Sequence, residues 1–251
     1  MNAAEKKILT NPARRLHSIL SATDLAKPGN IPLRGYLAAR FGGEQTDDLE
    51  MFRKLLAIYD LVAVTDQRLA LMRHPKRNTF ASCIKPIVTA LQQTQLNTAT
   101  SHLTNQLKNG PLPILDLAAD VLDAKQPEYL IDQRELDSLL KEADELKARV
   151  QESDVPLDLK QILIGLVERI KRAMLDYPLS GAEGLDKAIK EAYGTAFVEH
   201  AIILPQKENP VVKGFWDWLG HLNSVVSACK TAYSVGQIAS DAVFRALDYF
   251  K

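Results

Sequence analysis

The chain predicts an all-α fold, a multi-helix bundle, and three observations carry that reading. Apolar side chains recur at alternating three- and four-residue spacings along most of the length, the period of helices with one buried face. No two-residue alternation runs long enough to claim a strand, and no internal repeat appears. Residues that start and stop helices (Asn-Pro, Gly-Gly, Ser-Gly-Ala-Glu, isolated prolines) fall between the periodic segments, where caps belong. With 251 residues, 46% of them hydrophobic and 25% charged, a full core can form without a metal or disulfide.

Taken in order, Asn11-Pro12 predicts a capped helix carrying Leu16, Ile19 and Leu20. Lys27-Pro28-Gly29-Asn30 reads as a loop. Pro32 opens a second helix with Leu33, Tyr36, Leu37 and Phe41, and Gly42-Gly43 stops it. Thr46 supplies a capping hydroxyl, and Asp47 and Asp48 complement the positive end of the long helix that follows. Its expected buried face is Leu49, Phe52, Leu56, Tyr59, Val62 and Leu69, and Pro75 ends it. A helix from about Thr79 carries Phe80, Ile84, Val88 and Leu91, with a kink expected at Pro86. The Gln, Thr and Asn content from 92 to 104 predicts a break near Leu96-Asn97. A short helix with Leu103 and Leu107 then runs to Gly110, and after Pro111 and Pro113 comes one with Ile114, Leu115, Ala118, Val121 and Leu122.

The stretch from Asp132 to Tyr193 organises the rest. Leu136, Leu139, Ala143, Leu146 and Val150 form one stripe; Leu159, Leu163, Leu166, Ile170, Ala173 and Tyr177 form another. Separated by a short polar link, they predict an antiparallel hairpin. A third helix with Leu185, Ile189, Ala192 and Ala196 is expected to start at the capping box Ser180 to Glu183. Pro205 to Pro210 reads as a linker. A long C-terminal helix follows, with Phe215, Leu219, Leu222, Val226, Cys229, Tyr233, Val243 and Leu247 as its stripe and breaks expected at Gly220 and Gly236. Asp154-Val155-Pro156-Leu157-Asp158-Leu159-Lys160, Asp176-Tyr177 and Ser180-Gly181-Ala182-Glu183-Gly184-Leu185 resemble an uncharacterised family of bacterial all-helical proteins of similar length. Val155 and Ser180 stand where that family tends to carry an acid and a base. The resemblance implies a helical fold and a bacterial origin, and no activity.

The formal charge of zero hides an asymmetry. Residues 1–110 hold 15 Lys and Arg against 8 Asp and Glu, residues 111–200 hold 11 against 19, and residues 201–251 hold 5 against 4. With the prolines this suggests a basic helical lobe over 1–110, an acidic helical bundle over 111–204, and an amphipathic helix over 211–251 packed on the bundle or used for a partner. Lobes of opposite sign attract each other within one molecule, meet an anionic partner, or pair copies head to tail. Cys83 and Cys229 form no disulfide framework, and Met1 to Leu20 has no continuous apolar block, so a cytoplasmic chain with no transmembrane segment is expected.

The chemistry-bearing residues nominate no catalytic, cofactor-binding or metal set, and no cofactor is expected. Five histidines are scattered singly, without zinc-ligand spacing. Asp116, Asp120 and Asp123 share a helical face, either as a solvated side or as ligands for a divalent cation. Cys83 is expected to be a packed thiol rather than a nucleophile. Arg73, Lys76 and Arg77, with His74 and Pro75 between, form the densest basic cluster and are the candidates for contact with an anion or nucleic acid. Phe215, Trp216 and Trp218 are the candidates for partner binding, with Trp216 off the buried stripe and either covered by another helix or exposed as an anchor. The function expected is a non-enzymatic interaction or adaptor protein or a subunit of a bacterial assembly, with defence or stress response as its candidate setting, binding a protein partner or itself. The alternatives are a membrane-active effector using the C-terminal helix and a nucleic-acid-binding accessory protein using the basic lobe.

Overall fold

The computed structural model describes residues 9–22, 31–125 and 128–229. The loop expected at Lys27–Asn30 and the distal C-terminal features (Tyr233, Gly236, Val243, Leu247) lie outside the described residues. The all-α reading holds: the described elements are helices apart from two-residue strands, β1 (Leu9–Thr10) and β2 (Glu128–Tyr129), which pair with each other. The chain forms two compact units, 1–128 and 129–251.

In the first unit, α1 (Pro12–Leu20) starts as expected, with the Asn11 side chain accepting from the Arg14 N–H at 2.9 Å. α2 (Leu33–Phe41) ends at Gly42 and Gly43, both at positive φ. α3 (Asp48–Leu71) is capped by Asp47, whose carboxylate accepts from the Glu50 N–H at 3.0 Å, one residue later than the Thr46 cap expected. Its core face also differs. Met51, Ile58, Leu61, Val62 and Leu69 are buried, whereas Leu49, Phe52 and Leu56 are exposed. Apolar residues surround this helix, so spacing alone does not choose the face; packing against α1 and α2 does. Lys54 is buried with the core face because its ammonium donates to the Phe41 carbonyl at 3.0 Å.

Where one kinked helix was expected there are two, α4 (Arg77–Ala81) and α5 (Ile84–Gln92). Pro86 is the third residue of α5, in the first turn, where an N–H has no intrahelical acceptor, so no kink is needed. α6 (Thr100–Leu107) and α7 (Pro111–Lys125) complete the unit. The units divide at 128/129 and not at 110/111: α7, assigned to the acidic bundle by its charge, packs on α1.

The second unit contains α8 (Gln133–Glu152), α9 (Leu157–Leu175), α10 (Tyr177–Val198), α11 (His200–Ile203), a 3₁₀ turn (Leu204–Gln206) and α12 (Pro210–Cys229). The hairpin of α8 and α9 buries its stripes as expected, except that Ala173 is half-buried while Val167 and Met174 are buried. Lys147–Glu168 (2.6 Å) and Lys171–Asp144 lace its outer side. The chain bends at Gly181 (φ 63°, ψ −166°), and the third helix runs on from the bend. α12 is continuous through Gly220, and the Asn209 carboxamide accepts from its Val211 N–H at 2.9 Å. Of the two roles expected for the C-terminal helix, packing on the bundle is the one seen in its described part: α12 contributes Val212, Phe215, Leu219, Leu222 and Val226 to one core with α8, α9 and α10.

Candidate functional site

The acidic trio of α7 gathers on one arginine, with Asp116 and Asp120 remaining 47% and 62% exposed, as a solvated side would be, and Asp123 largely covered. Arg14 on α1 reaches all three carboxylates: Asp116 at 3.0 Å, Asp120 at 2.5 Å and Asp123 at 2.8 Å. The Asn11 carboxamide donates to Asp123 at 2.6 Å and to the Ala119 carbonyl at 3.0 Å. The hydrogen bond to Asp120 is the main reason the Arg14 guanidinium is held above its ordinary pKa, against a smaller opposing cost of burial. The cluster is an internal counter-ion. Among the described residues no group of His, Cys, Asp and Glu has the arrangement of a metal site.

Cys83 is buried, its thiol donating to the Phe80 carbonyl, and burial pushes its pKa up to about 11. A thiolate is therefore disfavoured near neutral pH. The aromatic candidates are also core residues. Phe215 is fully buried and Trp216 and Trp218 are 5% exposed; Trp216 stacks on Tyr193 of α10, ring centroids 6.0 Å apart. A second helix covers Trp216.

The basic candidates are placed differently. At 3.6 residues per turn, α7 has three faces. Leu115, Ala118 and Leu122 enter the core, Asp116, Asp120 and Asp123 meet Arg14, and Ile114, Leu117 and Val121 point to a third side. There they form, with Phe80 of α4, the floor of a groove of about 450 Å³, rimmed by His74, Lys76, Thr79 and Asp120. Leu117 is 60% exposed in it. The turn at its edge is well held. His74 accepts from the Lys76 N–H at 3.1 Å and lies 5.2 Å from the Phe80 ring, Lys125 donates to the Arg73 carbonyl at 2.6 Å, and Arg77 donates to the Ala70 carbonyl at 3.3 Å. Arg73, Lys76 and Arg77 are exposed and make no ion pair among the described residues. The cluster was legible in sequence; its apolar floor was not, because Phe80 and α7 are far apart in the chain.

A second surface had no sequence signal, since its residues were read as core. Leu49 (61% exposed), Phe52 (53%) and Leu56 (61%) form one row on the outer face of α3, with Asp60 continuing it. Phe52 also walls a cavity of about 380 Å³ with Leu55, Leu96 and the Arg34–Asp48 ion pair.

Fold and surface define an all-α protein whose first unit carries an apolar groove rimmed by His74, Lys76 and Asp120. No family model, curated protein or solved structure matches the chain, so the resemblance carried by residues 154–185 brings no role to any residue. No helix among the described residues is long and apolar enough to cross a membrane.

Proposed function

We propose that the chain is a non-enzymatic interaction protein that docks a segment of another polypeptide in the groove between α4 and α7. One observation carries the reading: a groove floored by Phe80, Ile114, Val121 and the 60%-exposed Leu117 has on its rim Lys76, which makes no ion pair among the described residues. Apolar burial supplies affinity at such a surface, and the charges select an acidic partner and speed encounter. A nucleic acid is the competing anion for Arg73, Lys76 and Arg77, but phosphate contact leaves the exposed leucine of the floor without a role. A photo-crosslinking residue at Leu117 in the expressed full-length chain is expected to trap a polypeptide, and Lys76→Glu with Arg77→Glu is expected to abolish the product. The same crosslinker at Lys141, whose side chain is 80% exposed on the second unit, serves as control. Equal yields at both positions, or crosslinks to nucleic acid alone, would overturn the reading.

A further inference from the structure

We propose that the groove's occupant is a second copy of this chain, which inserts the acid-flanked row Leu49, Phe52 and Leu56 of its own α3; this rests on the docking reading above. The two surfaces complement each other in shape class and in charge. One is an exposed helical row at i, i+3 and i+7, the spacing by which a helix fills an apolar groove. The other is a concave apolar floor. Over residues 44–60 the row is flanked by Glu44, Asp47, Asp48, Glu50 and Asp60 against Arg53 and Lys54, and Lys54 is already paired with Glu50 at 3.4 Å. Glu44, Asp47 and Asp60 make no ion pair among the described residues, and neither does Lys76 on the groove's rim, nor its chain neighbours Arg73 and Arg77.

A copy cannot fill its own groove. Phe52 lies in the first turns of α3 and Lys76 just past its end, so at 1.5 Å per residue they are separated by about 30 Å along a straight helix. The contact is therefore between copies: two of them can exchange rows into each other's grooves as a closed two-fold dimer, or pass them head to tail into rings or filaments.

The test is sedimentation velocity of the full-length chain over a range of concentrations. Wild type is expected to grow with concentration from monomer to a dimer or beyond. Phe52→Glu and Leu117→Glu, both at exposed positions, are each expected to be monomeric, with circular dichroism and melting like those of wild type. Mixing the two variants is expected to restore a dimer and nothing larger, because each keeps the half the other has lost. A wild type that stays monomeric would overturn the proposal, as would two variants that do not complement. So would a Leu117→Glu variant that still dimerises alone. If the Leu117 crosslinker traps a different polypeptide while the chain stays monomeric, self-association fails and docking stands. If it traps none, both fail.

Discussion

Single side chains settle several matters here. Arg14 turns three carboxylates that repel one another into a bound cluster, and hydrogen bonds to charged groups of this kind contribute about 2 kcal/mol. Arg14→Met is expected to lower the urea-unfolding free energy by about that amount. Arg14→Lys should recover only part of it, since an ammonium lacks the planar fork that reaches several acceptors. Unchanged unfolding in the Met variant would show the cluster to be incidental. Tyr193 makes a different prediction. Its hydroxyl is buried with no hydrogen-bond partner among the described residues, and burial raises its pKa to about 12. A folded-state pKa above the unfolded value of about 10 means the proton is held more tightly in the fold, so this stability is complete below pH 10 and lost as pH rises toward 12. Chemical unfolding of wild type and Tyr193→Phe should therefore diverge only in that window, by about 2 kcal/mol, with the variant the less sensitive. At neutral pH the Phe variant should equal or slightly exceed wild type, because it removes a buried unpaired donor. Parallel pH curves would refute the assignment.

The elements were legible wherever their signals are local. Asn11 before Pro12, Gly42-Gly43 after Phe41 and the stripes of α8 and α9 each lie within a turn or two of the structure they specify. Gly181 belongs to this scale. Its φ of 63° with ψ of −166° lies in a region open essentially to glycine, so Gly181→Ala is expected to cost about 1–3 kcal/mol in thermal or urea unfolding, and a neutral effect would mean the bend relaxes. What the local pattern left open was whether Trp216, off the buried stripe, is covered, because nothing within α12 says that α8 and α10 both close over it. Phe215→Ala, at a fully buried ring, should cost about 3–5 kcal/mol. By the same reasoning, removing residues 210–251 strips a face from the shared core, so this truncation is expected to unfold the second unit rather than leave the hairpin intact.

At the scale of the whole molecule, the division at 128/129 redraws the charge asymmetry. Residues 1–128 hold 16 Lys and Arg against 12 Asp and Glu, a smaller excess than a division after residue 110 suggests. Much of the acidity of α7 is spent on Arg14 inside the first unit. Among the described residues, charge without an ion pair stands at both ends of α3, at Glu44 and Asp47 on one side and at Arg73, Lys76 and Arg77 on the other. Self-association through these ends should weaken as sodium chloride is raised from about 0.05 to 0.5 M, because exposed charges are screened beyond about 10 Å already near 0.1 M. It should not vanish, since burial of Phe52 and Leu117 is little affected by salt. Salt-independent association would point to an interface without the charged rims.

Helical class, cap positions and the hairpin at the centre of the second unit follow from the order of residues alone, because a cap or an apolar stripe acts across one or two turns of its own segment. Three features do not: which face of α3 is turned outward, which partner holds Asp116, Asp120 and Asp123, and what lies beside Arg73, Lys76 and Arg77. Each depends on side chains brought together from distant parts of the chain, Arg14 onto α7 and Phe80 beside Leu117. Such contacts are made by the packing of whole helices, and no local period encodes them.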